Sequence, residues 1–107
     1  MITSSDFRDS WVTALFVGYD WERSEHFAEL ALRTAFGADR LFRVERLTSW
    51  GIHQNFDTQW ITKCTLVERS DGLYLCLDPA VEGKPSNLDN FWFLGARVVR
   101  VEQAAGT

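Results

Sequence analysis

The spacing of hydrophobic residues along this chain changes near residue 37. Before that point, "WERSEHFAELALRTAFG" carries a helical pattern over residues 21–36. Phe27, Ala31, Thr34 and Ala35 fall on one face, with Glu22, Glu25, Glu29 and Arg33 on the other. Asp20 is placed to cap the start and Gly37 to end the helix. Glu29 precedes Arg33 by one turn, the favourable order for a helical ion pair. The stretch before it, "WVTALFVGY" at residues 11–19, carries two patterns. Its β-branched and aromatic residues favour a buried strand. Phe7, Trp11, Ala14 and Leu15 nonetheless keep helical spacing, and Gly18 is a possible stop. Strand is the preferred reading and a second N-terminal helix the alternative.

After residue 37 the period is two. In "LFRVERL", Leu41, Arg43 and Glu45 alternate with Phe42, Val44 and Arg46. Residues 59–68, "QWITKCTLVE", and residues 73–78, "LYLCLD", are joined by "RSDG", a strong hairpin signal. A two-residue turn at either Ser70-Asp71 or Asp71-Gly72 places Cys64 and Leu66 with Leu73, Leu75 and Leu77 on the core face. Ile61, Lys63, Val67, Tyr74 and Cys76 take the other face. A last strand is expected over residues 91–102; if its Phe91 and Phe93 point inward, Trp92 points outward. A helix followed by a run of strands predicts an α+β domain. It has a mainly antiparallel sheet of four or five strands, packed by one or two N-terminal helices. Residues 1–102 form a single domain in this reading, and residues 103–107 a disordered tail. One helix cannot cover both faces of such a sheet, so an uncovered aromatic face is expected.

Composition narrows the function. The chain has 107 residues, 46% hydrophobic and 24% charged, a globular balance. A net charge of −4 argues against direct nucleic-acid binding, which needs a basic footprint. Six acids against three bases in residues 1–36 put most of that charge in the N-terminal third. The first residues show no signal-peptide pattern, and no apolar run is long enough to span a bilayer. Two cysteines without a secretory signal then point to a cytoplasmic protein with reduced thiols.

No motif specifies a reaction. His26, His53, Cys64 and Cys76 make a zinc set by count, but no two lie close enough in sequence to present ligands from one turn. The hairpin also puts the two cysteines on opposite faces. No metal and no cofactor are therefore expected. His26 reads as an ion-paired surface histidine beside Glu22 and Glu29. The long connection over residues 79–90 reads as either a binding loop or a plain linker.

"SWGIHQNFDTQW", residues 49–60, stands apart. Two tryptophans bracket a polar run between apolar segments. Trp50, His53, Asn55, Asp57, Trp60 and Trp92 are the expected partner-binding surface: tryptophans anchor and polar groups set register. The function expected is a small acidic protein-binding module of the inhibitor, immunity or anti-defence kind. Its protein partner would be basic or nucleic-acid-binding. The alternative is a small-molecule-binding or enzymatic domain with His53 and Asp57 as base and orienter at a pocket mouth. A homodimer joined by the uncovered sheet face is a third reading.

Overall fold

The computed structural model describes residues 2–52 and 60–101. A 3-10 turn, Ser4–Asp6, precedes nine strands: β1 Ser10–Asp20, β2 Glu25–Thr34, β3 Asp39–Leu47, β4 Ser49–Gly51, β5 Trp60–Ile61, β6 Thr65–Arg69, β7 Gly72–Asp78, β8 Asn90–Gly95 and β9 Arg97–Val101. A first sheet has the order β5-β1-β2-β3-β9 and a second β4-β8-β7-β6. Every strand pair is antiparallel.

The α+β expectation is overturned. Apart from the 3-10 turn, the described residues form no helix, and residues 25–34 are strand β2, not helix. The physical reason lies in a second pattern within the same letters. Ala28, Leu30 and Leu32 are buried at period two, while Phe27, Glu29, Ala31 and Arg33 face the other way. As a central strand flanked by β1 and β3, this segment buries all three residues, and tertiary packing overrides helix propensity. The terminators acted on turns. The Asp20 carboxylate accepts the backbone N–H groups of Glu22 and Arg23 at 3.0 and 3.1 Å, closing the β1–β2 turn. Gly37, with φ +87°, closes the β2–β3 turn. Glu29 pairs across strands with Arg43 at 2.6 Å instead of along a helix with Arg33. Residues 11–19 are strand, as preferred.

Two strands expected to be continuous are broken. Between Ile61 and Thr65 the chain leaves the first sheet for the second, and between Gly95 and Arg97 it returns. The break at residues 62–64 resets the alternation, so Ile61 is in the core, contrary to the expected face. A third corner lies at Thr48, between β3 and β4. Its N–H and hydroxyl both donate to the Leu94 carbonyl, at 2.8 and 3.1 Å. Gly95 permits the close approach at the second corner: a Cβ there would stand 2.7 Å from Val44 and 2.8 Å from the Glu45 carbonyl. Followed through the three corners, the strand neighbours run β1, β2, β3–β4, β9–β8, β7, β6–β5 and back to β1. The result is a curled, barrel-like sandwich, closed by two residue pairs, Ser10 with Ile61 and Trp11 with Trp60.

One core cluster joins both sheets, with Leu30, Leu32, Phe42 and Val44 from the first and Leu75, Leu77 and Phe93 from the second. Phe7 plugs it from the N-terminal segment, its ring 4.6 Å from that of Phe42. The hairpin turn is Ser70 and Asp71, and Leu75 and Leu77 are inward as expected. Tyr74, Cys76 and Leu94 form a smaller cluster on the outer face of the second sheet. No helix among the described residues is long and apolar enough to cross a membrane.

Candidate functional site: an aromatic chain at the open end

Two features of the turn-and-corner geometry gather aromatic rings at one end of the sandwich. The first is the β1–β2 hairpin, which sets Tyr19 opposite His26 and leaves Trp21 on the turn. Ser24, with φ +54°, completes that turn. The second is a bulge in β3. The β2–β3 register slips between His26 and Ala28, Arg46 takes φ +50°, and its N–H donates to the Glu25 carboxylate at 2.7 Å. The bulge turns Leu47 into the core and leads the chain through Thr48 into β4. Trp50 of β4 pairs with Phe93, a core residue, so its side chain leaves the interior face of the second sheet.

The rings meet in sequence. Trp21 and Tyr19 are 4.8 Å apart, edge to face at 69°. Tyr19 and His26 are 4.8 Å apart at 75°. His26 and Trp50 are 5.9 Å apart at 43° and join the two sheets. These separations and tilts are the favourable ones for aromatic pairs. The chain lies where the interior opens to solvent, beyond Val17 and Ala28 of the first sheet. It is far more exposed than a plug needs to be. Trp21 is 84% exposed, Trp50 40% and Tyr19 37%. Exposed but held ring against ring, they form a pre-ordered apolar surface.

Charges beside this end are mostly committed to structure. Glu45 holds both Arg23 of the hairpin turn, at 3.2 Å, and Arg97 at the start of β9. The hydrogen bond from Arg97, followed by the nearby positive charges, keeps the Glu45 carboxyl below its ordinary range.

The expected contact residues do not share one surface. Trp50 belongs to the aromatic chain. Trp60 stands on the outer face of the first sheet, 4.5 Å from Trp11 at 69°. Trp92 is half-buried on the outer face of the second sheet, stacked 5.9 Å from Tyr74 and lying against Gly51. His53, Asn55 and Asp57 lie outside the described residues. Tyr19, Trp21 and His26 were missed because a helix over residues 21–36 scatters them. Read as a hairpin, "YDWERSEH" places Tyr19 and His26 opposite each other across the turn that carries Trp21.

Of residues 79–90, expected to be a binding loop or a linker, residues 79–89 cover the outer face of the second sheet and Asn90 starts β8. The Asp89 carboxylate, 1% exposed, organises this cover. It accepts the Tyr74 hydroxyl at 2.6 Å, the Ala80 N–H at 2.9 Å and the Ser86 N–H at 3.1 Å. Gly83 donates to Thr65, and Cys64 donates its N–H to Glu82. Burial, and then the bond to Asp89, push the Tyr74 hydroxyl pKa far up. Cys64 lies in the main core and Cys76 in the outer cluster, so they are on opposite faces, and neither is bridged. Burial raises both thiols to about 12. Among the described residues no group of three metal-ligating side chains converges.

Comparison with protein-family models, curated proteins and solved structures brings no match.

Proposed function

We propose that this chain is a protein-binding module, an inhibitor or immunity-type protein that blocks its partner through the aromatic chain Trp21, Tyr19, His26 and Trp50. One observation carries the reading. Trp21, 84% exposed, packs edge-on against Tyr19 in a line of rings drawn from two sheets. A tryptophan so exposed adds little to the core, whereas rigid exposed aromatics are the side chains that dominate binding hot spots. Preordering lowers the entropy lost on association. Trp50 is kept from the sequence reading, Tyr19, Trp21 and His26 are added, and Trp60 and Trp92 are left out.

The test is capture of a partner from host lysate by the wild-type chain and by the folded Trp21→Ala/Trp50→Ala variant. A stoichiometric partner bound by the first and released by the second supports the reading. Equal capture by both overturns it.

A further inference from the structure

We infer that the outer face of the first sheet is the contact through which a second copy of this chain docks, independently of the aromatic end proposed above. The register defines that face. Trp11 stands beside Trp60, Ala14 beside Ala31, and Phe16 beside the ring of Phe27 at 5.8 Å. Phe16 is 59% exposed, and no described segment crosses this face as residues 79–89 cross the second sheet. Ala14 and Ala31 form a low centre between the aromatic rows, where another sheet can approach closely.

Charge selects the occupant. Three acids on the face are matched within it: Glu29 meets Arg43 at 2.6 Å, Asp39 meets Arg33 at 3.0 Å, and Glu45 meets Arg97, while Glu25 accepts the Arg46 N–H. The Arg43 guanidinium is further committed over the Phe27 ring at 4.5 Å. A strongly basic or acidic partner therefore finds little opposite charge left to pair with on this face. A chain with net charge −4 repels its own copies generally, and a face whose charges largely cancel locally is where two copies meet at least cost. Size agrees. Five strands of these lengths cover a plan area of roughly 600 Å², at about 3.3 Å per residue and 4.8 Å between strands. Two such faces together give about 1,200 Å², the lower end of the range for specific interfaces. Residues opposite themselves across a two-fold axis make the contact closed, not open-ended.

Sedimentation velocity on the full chain over a wide concentration range tests this, beside Phe16→Asp and Ala31→Arg. Both substitutions are on the outer face, and circular dichroism and thermal melting check their fold. The expected result is a species of twice the 12.3 kDa chain mass that dissociates on dilution. It is lost in both variants and kept in Trp21→Ala and in Leu88→Asp, whose site is on the covering loop. Phe16→Ser reads the same loss should Phe16→Asp fail to fold. A chain that sediments as a monomer up to its solubility limit overturns the inference. So does a dimer that survives both outer-face substitutions.

Discussion

The imidazole of His26 and the indole of Trp50 lie 5.9 Å apart although they belong to different sheets. Their meeting depends on the β3 bulge, whose Arg46 N–H is held by Glu25 at 2.7 Å. That bond helps to hold Arg46 in its left-handed conformation. Glu25→Ala is therefore expected to cost about 1 kcal/mol of stability. It should also weaken the nuclear Overhauser contact between the two rings. An unchanged contact would show that the bulge does not position Trp50.

The strand assignment of residues 25–34 makes a quantitative prediction. In a helix Glu29 would couple to Arg33; in β2 it couples to Arg43. A double-mutant cycle on Glu29 and Arg43 should return a coupling of about 0.5 kcal/mol, typical of partly exposed pairs. The same cycle on Glu29 and Arg33 should return none.

How far the sequence could be read follows from these residues. Local turn chemistry was legible: Ser70 and Asp71 make the expected hairpin turn, and Asp20 and Gly37 do end something. That Phe91 and Phe93 share one face and Trp92 takes the other was legible too, because alternation needs only a correct strand. What ended at Asp20 and Gly37 was not legible. Ala28, Leu30 and Leu32 satisfy period two while Ala28, Ala31 and Leu32 satisfy helical spacing, and charges at 29 and 33 tip the local balance towards helix. Only neighbours on both sides decide it. The aromatic chain was hidden by the same error, since Tyr19 and His26 meet only across a hairpin. Corners at Thr48, at residues 62–64 and at Gly95 depend on long-range packing, and continuous apolar runs conceal them.

The Asp89 centre should be a major contributor to stability. Asp89→Ala strands a buried Tyr74 hydroxyl and the N–H groups of Ala80 and Ser86, and is expected to cost roughly 3 kcal/mol in denaturant unfolding. Tyr74→Phe leaves the two backbone donors in place and should cost about 1 kcal/mol.

Stability should decline at both ends of the pH scale, for different groups. Glu45 is held below its ordinary 4.5 by Arg97 and Arg23, so its contribution is complete above that value and is lost as pH falls through the folded pKa. Cys64 and Cys76 are raised from 9.0 to about 12 by burial. The unfolded chain therefore releases protons first, and stability falls as pH rises from about 9 towards 12. Tyr74, raised above its ordinary 10.0, steepens the same decline. Unfolding followed against pH should show the alkaline slope reduced in Cys64→Ala/Cys76→Ala, and the acid slope reduced in Glu45→Gln. In the native state at neutral pH both thiols should react with a disulfide reagent only at the rate of unfolding.

In the proposed function one aromatic end makes the partner contact, not tryptophan exposure in general. The most direct measurement compares two folded double variants for partner capture: Trp21→Ala/Trp50→Ala at the open end, and Trp60→Ala/Trp92→Ala on the two outer faces. Loss of the partner with the first and retention with the second is the predicted result. Retention with the first and loss with the second would contradict the account and return the contact to the outer tryptophans.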